Sequence, residues 1–256
     1  MKNLRFLVPN ACTAFSMLLG LASVYASVNN QFELAAWMIL WGVLLDKLDG
    51  TFARLLNASS GFGAQFDSFA DFVSFGIAPA MLLLCAFGSA STLYPAVPQG
   101  WMMAAGGVYV VAVAARLARF NISEPPLGKD YFYGIPTTVM GAVLASSFLT
   151  CSKYHFLDEV AVYTPFLLLI CSFGMISNIL LPKLKLRKSM GLNVFQGVNV
   201  SFAYLMAPLK LFPEILFLQG MCYTIFGVFW AAIFPPESAE IYEEESEEDI
   251  ELLTVE

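Results

Sequence analysis

Eight stretches of this chain, near residues 9–28, 33–55, 66–88, 99–120, 135–151, 161–181, 194–211 and 213–234, are apolar over roughly the thickness of a bilayer. Hydrocarbon offers no water to backbone N–H and C=O groups, so segments of this length fold as helices that bond internally. A mean hydropathy of +0.70, with 58% hydrophobic and only 13% charged residues, lies outside the range of soluble domains. The expected fold is therefore all-α, a polytopic integral membrane bundle of about eight transmembrane helices. Residues 1–8, with Lys2 and Arg5 at the lipid headgroups, are expected to form a short interfacial helix ahead of the first span.

Basic residues set the orientation. With eight spans and a cytoplasmic N-terminus, Lys2, Arg5, Lys47, Arg54, Arg116, Arg119, Lys129, Lys183, Lys185, Arg187 and Lys188 fall inside, and only Lys153 and Lys210 fall outside. Positive charge is retained on the cytoplasmic side of membrane proteins, so both termini are expected there. The chain is expected in the inner or plasma membrane if the source is prokaryotic.

Within this apolar background, residues 46 to 71 read Asp46-x-x-Asp49-Gly50-x-x-Ala53-Arg54, then Gly63-x-x-x-Asp67-x-x-x-Asp71. An ionised carboxylate in hydrocarbon costs several kcal/mol, so four of them must be held by a cation or face a wet cavity. Asp46, Asp49, Gly50, Ala53 and Arg54 share one helical face, and Gly63, Asp67 and Asp71 repeat that stripe. Between them, residues 57–63 are Asn, Ser and Gly-rich turn chemistry. Two helices joined by a short loop thus point carboxylates at each other, on the cytoplasmic side.

Clustered hard oxygen ligands suit Mg²⁺, Mn²⁺ or Ca²⁺, and no Cys or His falls between Asp46 and Asp71 to favour a softer metal. Mg²⁺ usually keeps positions for phosphate oxygens, so carboxylates beside Gly50 and Arg54 suggest a diphosphate substrate. Gly50 lets a bulky ligand approach the backbone.

These eight positions match the signature of the CDP-alcohol phosphotransferase family of integral membrane enzymes. Eight identities at fixed spacing arise by chance on the order of 10⁻¹⁰ per start position, so the motif is specific. The resemblance implies that Asp46, Asp49 and Asp67 bind two divalent ions, Mg²⁺ or Mn²⁺. It implies that Asp71 is the base that deprotonates the acceptor hydroxyl, with a share in metal binding. Pro9-Asn10-x-x-Thr13 resembles the family's motif at the start of the first span. Asn10, Thr13, Asp49, Gly50, Ala53, Arg54 and Gly63 are thereby expected to bind CDP and its diphosphate. A homodimer is implied as well.

The sequence Phe72-Val-Ser74-Phe75-Gly76-Ile77-Ala78-Pro79-Ala80, the run Arg116-Leu-Ala-Arg119-Phe120-Asn121 and Phe132-Tyr-Gly134-Ile-Pro136 resemble the phosphatidylserine synthase branch. That branch implies transfer of a phosphatidyl group from CDP-diacylglycerol to L-serine, releasing CMP. Arg116, Arg119 and Asn121 are the candidates for acceptor binding, able to clamp a serine carboxylate or a lipid phosphate. Arg116 and Arg119 equally fit the positive-inside pattern. Thr137-Thr138 and Phe66 depart from the branch, and neither position is expected to touch the metal site. Branches that use choline, inositol phosphate or glycerol phosphate share the hairpin, so the acceptor stays open among these.

Met1 to Ser27 resembles a cleavable signal peptide, but Pro9 and Asn10 interrupt its apolar run and cleavage would remove the Asn10–Thr13 motif. Ten of the twenty acidic residues follow Pro236, so residues 1–236 carry 13 basic and 10 acidic side chains, a net of +3. The chain accordingly divides into a membrane-embedded domain, 1–236, and an acidic cytoplasmic tail, 237–256, expected to be disordered. Five scattered cysteines read as small apolar residues, and His155 as a surface residue of an outer loop. A cation transporter would spread its acids across the bilayer and repeat them in a second half, whereas these cluster at one face. Nucleic acid is not expected as a partner.

Overall fold

The computed structural model describes residues 4–58, 60–88, 98–122, 131–182 and 190–233. Expectations for Lys2, Lys129, the basic run at 183–188 and the acidic tail fall outside these residues. In chain order the elements are α1 (Leu4–Val28), α2 (Phe32–Leu55), α3 (Gly61–Asp71), a π-helical turn (Phe72–Ile77), α4 (Ala78–Phe87), α5 (Gln99–Ile122), β1 (Tyr131–Tyr133), α6 (Thr137–Lys153), α7 (Leu157–Ala161), α8 (Thr164–Ile176), β2 (Leu180–Pro182), α9 (Met190–Met206) and α10 (Pro213–Ile233).

Phe6–Val28, Gly61–Phe87, Gln99–Ile122 and Pro213–Ile233 are long and apolar enough to cross a membrane. Of the other expected spans, α2 has 24 residues but carries Glu33 and the charged cluster from Asp46 to Arg54. Helices α6 and α9 have 17 residues each and α8 has 13. Leu18, Leu21, Val111, Phe173, Phe226 and Phe229 are among the many large apolar side chains exposed. So much exposed apolar surface fits a lipid solvent rather than water.

Helices α1, α2, α6 and α9 end where their sequences supply a left-handed residue. Asn30, Asn57, His155 and Lys210 all have positive φ, between +46° and +60°. After α2, Ala58 N–H donates to the Ala53 carbonyl and Asn57 N–H to that of Arg54, the paired bonds of a Schellman stop. The same pairing closes α1 at Asn30, α6 at His155 and α9 at Lys210. His155 is therefore a helix terminator. Ser60 starts α3, its hydroxyl accepting from Gly63 N–H at 3.0 Å.

Two expectations change. Of the interfacial helix expected over residues 1–8, the described residues 4–8 are continuous with α1, which runs unbroken through Pro9. The expected span 161–181 is cut at Ile176, and its last residues form β2, paired antiparallel with β1 as Phe132 opposite Leu181. The all-α bundle thus includes one short ribbon.

The core joins α2, α4, α5, α6 and α8 around fully buried Ile39, Phe75, Leu82, Tyr109, Leu144 and Leu168. Helix α1 packs against α2, α3 and α4 through its small residues. Gly134, at φ +67°, lets the chain turn from β1 into α6, and a Cβ there would collide with the Met175 carbonyl oxygen. Gly134→Ala is expected to destabilise the protein by about 1–3 kcal/mol. Thermal unfolding in detergent checks this, an unchanged midpoint counting against the strain.

Candidate active site

Three helices build the site. Asp46 and Asp49 lie near the end of α2, Asp67 and Asp71 on α3, and the stop at Asn57 and the cap at Ser60 turn the chain from one helix into the other. One carboxylate oxygen from each of Asp46, Asp49 and Asp67 lies within 4.8 Å of the others. Asp49 is buried, and Asp46 and Asp67 are half-buried. Asp71 is close behind, its carboxyl group within hydrogen-bond reach of Asp46.

Helix α1 supplies the third wall. The Thr13 hydroxyl donates to Asp49 Oδ2 at 2.7 Å, with the Pro9 carbonyl oxygen also near at 3.1 Å. A Cβ on Gly63 would lie 3.1 Å from Ser60 Oγ and 3.5 Å from Asn10 Oδ1, so Gly63 allows α3 to approach Asn10 closely. At Gly50 the one atom within 4 Å of a Cβ would be Arg54 Nη1, at 3.7 Å. Asn10, Thr13, Asp49 and Gly63 thus come together, and Gly50, Ala53 and Arg54 continue the same end of α2, with Arg54 exposed.

Three hard carboxylate donors at this spacing fit a divalent cation of the Mg²⁺ or Mn²⁺ type. With three protein ligands, such an ion retains coordination positions for substrate oxygens.

The arginines separate. Arg119 Nη1 donates to the Ile176 carbonyl at 2.8 Å and to Asn178 Oδ1 at 3.3 Å, and its Nη2 lies 3.2 Å from the Ser177 carbonyl oxygen. Its guanidinium thereby satisfies carbonyls left open at the end of α8. Asn121 Nδ2 donates to Ser68 Oγ at 2.9 Å and to Gln65 Oε1 at 3.3 Å, tying α5 to α3. Arg119 and Asn121, both candidates for the acceptor, thus join helices through these hydrogen bonds. Arg116 differs: it is 6% exposed, and its Nε has no hydrogen-bond partner among the described residues.

Residues 6–178 match the family described as CDP-alcohol phosphatidyltransferase. The chain belongs to the CDP-alcohol phosphatidyltransferase family. It is 34% identical over 227 residues to the CDP-diacylglycerol–serine O-phosphatidyltransferase of Helicobacter pylori strain J99, covering 86% of this chain and 92% of that protein. The protein of the same name from Bacillus subtilis strain 168 is 32% identical over 182 residues, 70% of this chain and 91% of its own. The Saccharomyces cerevisiae protein of that name is 38% identical over 122 residues, 44% of this chain and 41% of its own.

As a CDP-alcohol phosphatidyltransferase with four membrane-length helices, the chain is an integral membrane transferase. Two residues near its acids escaped the motif. Thr137, expected to stay clear of the metal site, places its hydroxyl 3.4 Å from Asp71 Oδ2. Tyr204 of α9 donates to the Leu44 carbonyl at 3.0 Å, within electrostatic reach of Asp46 and Asp49. Both come from segments far along the chain, where spacing carries no signal.

Arg119→Lys keeps the charge but loses the forked geometry that spans several oxygens. It is expected to lower stability by about 2 kcal/mol through the orphaned α8 carbonyls. Thermal unfolding of the detergent-solubilised protein measures this, and a wild-type midpoint would remove Arg119 from its capping role.

Proposed function

We propose that this protein transfers a phosphatidyl group from CDP-diacylglycerol to the hydroxyl of L-serine. The observation that carries it is the gathering of Asp46, Asp49 and Asp67 within 4.8 Å in a chain of this family. Serine as acceptor is supported by the shared name of relatives that match across most of their own length.

Asp46, Asp49 and Asp67 would hold two divalent ions, Mg²⁺ or Mn²⁺, with Asp71 as a further partial ligand. Ions held there would neutralise the diphosphate and the charge that develops on departing CMP. Asn10, Thr13, Gly50, Ala53, Arg54 and Gly63 bind the CDP moiety around them. Only the Arg54 guanidinium comes within 4 Å of a Cβ placed on Gly50, which leaves this helix face approachable by the diphosphate. The serine oxygen attacks the phosphorus that carries diacylglycerol. A new P–O bond forms as the P–O bond to CMP breaks, and CMP leaves with that electron pair. Asp71 takes the hydroxyl proton, a contribution of typically ~10²–10⁴-fold.

Of Arg116, Arg119 and Asn121, Arg116 is the residue assigned to the serine carboxylate, because its buried Nε is unpartnered while the other two serve protein partners. The finer architecture belongs to the same proposal. Residues 1–236 form the membrane domain with eight spans, an interfacial N-terminal segment, a cytoplasmic site and cytoplasmic termini, and the protein works as a homodimer.

Purified protein given labelled CDP-diacylglycerol and a panel of alcohols is expected to make phosphatidylserine and CMP with serine alone. Product with choline or a polyol phosphate instead would move the acceptor and leave the metal site standing. EDTA is expected to abolish CMP release and Mg²⁺ or Mn²⁺ to restore it, full activity in excess chelator contradicting metal chemistry. Arg116→Lys is expected to raise KM for serine at least about tenfold with little change for the donor. A raised donor KM instead would assign Arg116 to lipid phosphate.

A further inference from the structure

Asp71 is the last residue of α3, and the chain passes from it directly into the π-helical turn Phe72–Ile77. Such turns are rare, carry one extra residue per turn and recur at functional sites. This one is pinned on two sides by buried hydroxyls. Tyr109 of α5, fully buried, donates to the Phe75 carbonyl at 2.8 Å. Ser74, also fully buried, donates to the Ser16 carbonyl of α1 at 2.9 Å. Gly20 makes that approach feasible, since a Cβ there would lie 2.6 Å from Ser74 Oγ and 2.7 Å from its Cα.

The pinning connects to the other carboxylate helix. Ser16 Oγ donates to the Gly42 carbonyl of α2 at 3.2 Å, one helical turn before Asp46. A buried run of hydrogen bonds therefore leads from α2, through α1, to the residue three positions beyond Asp71. Across the carboxylate itself, Thr137 of α6 offers its hydroxyl to Asp71 Oδ2. A helix with an ordinary turn at Phe72–Ile77 would rotate α3 relative to α4, and Asp71 would leave the face that meets Asp46.

We infer that Tyr109, Ser74 and Thr137 are positioning residues, holding the π-helical turn and the Asp71 carboxylate in the geometry that deprotonates the acceptor. The inference rests on Asp71 being the base, as proposed above. Tyr109 and Ser74 act from behind, through the backbone that follows Asp71. Thr137 acts from the front, through a hydrogen bond to the carboxylate.

The test measures kcat and donor KM for CMP release in full-length protein, with Ser23→Ala as the control. Ser23 is equally buried and donates to the Ala35 carbonyl at 2.9 Å in the same α1–α2 interface, with its hydroxyl bonded to neither the turn nor Asp71. Tyr109→Phe and Ser74→Ala are expected to lower kcat about tenfold or more with donor KM within about twofold, as displacement of a reacting group requires. Ser23→Ala is expected to stay within about twofold of wild type in kcat, whatever its melting temperature. Thr137→Val is expected to lose activity and Thr137→Ser to recover it, a pair that keeps the inference testable if a variant at 74 or 109 fails to fold. Wild-type kcat in Tyr109→Phe and Thr137→Val, or a loss no greater than that of Ser23→Ala, would overturn it. Absence of CMP release from the wild-type protein would instead remove the phosphatidyl-transfer proposal, and the base with it.

Discussion

Carboxylates that share a pocket repel one another, and the rest of this molecule is arranged around that repulsion. Two like unit charges about 4 Å apart oppose each other by roughly 4 kcal/mol at an effective dielectric of about 20. Asp46, Asp49 and Asp67 each place an oxygen within 4.8 Å of the others, and Asp71 adjoins them. Repulsion of this kind opposes assembly of the cluster, so contacts elsewhere must help to fix the helices that carry the acids. A divalent cation then converts the repulsion into coordination.

Helix α1 provides much of that fixing. Thr13, Ser16 and Gly20 lie on one face, and each meets α2 or the π-helical turn. Small residues and hydroxyls let helix backbones approach closely in lipid, where apolar side chains gain little by leaving one another. The outer face of α1, with Phe15, Leu18, Leu21 and Tyr25 exposed, is left to the bilayer. One helix therefore divides its two jobs by face, and the metal site depends on the polar one.

The parts of this design that are local were legible in the sequence. Asp46, Asp49, Asp67 and Asp71 sit at helical spacing on either side of a turn written in Asn, Ser and Gly, so the acid hairpin could be read directly. Contacts between distant segments were not. Arg119 and Asn121 look like ligand-binding residues by type, yet their partners lie more than fifty residues away, on α8 and α3. The approach of Thr137 to Asp71 spans 66 residues and depends on how Gly134 turns the chain into α6. The β ribbon was hidden because Leu180–Pro182 continues the apolar run of α8, and apolar character alone does not separate a strand from the end of a buried helix. The π-helical turn leaves no mark in residue type, since its stability comes from Tyr109 and Ser16 across the bundle.

The central claim is that the acid hairpin is a divalent-metal centre. Anomalous scattering from crystals grown with Mn²⁺ tests it most directly. The account predicts anomalous peaks bounded by Asp46, Asp49 and Asp67, reaching toward Asp71, that vanish in Asp67→Asn. Well-ordered carboxylates with no peak among them at millimolar Mn²⁺, or a peak held by other residues, would contradict it.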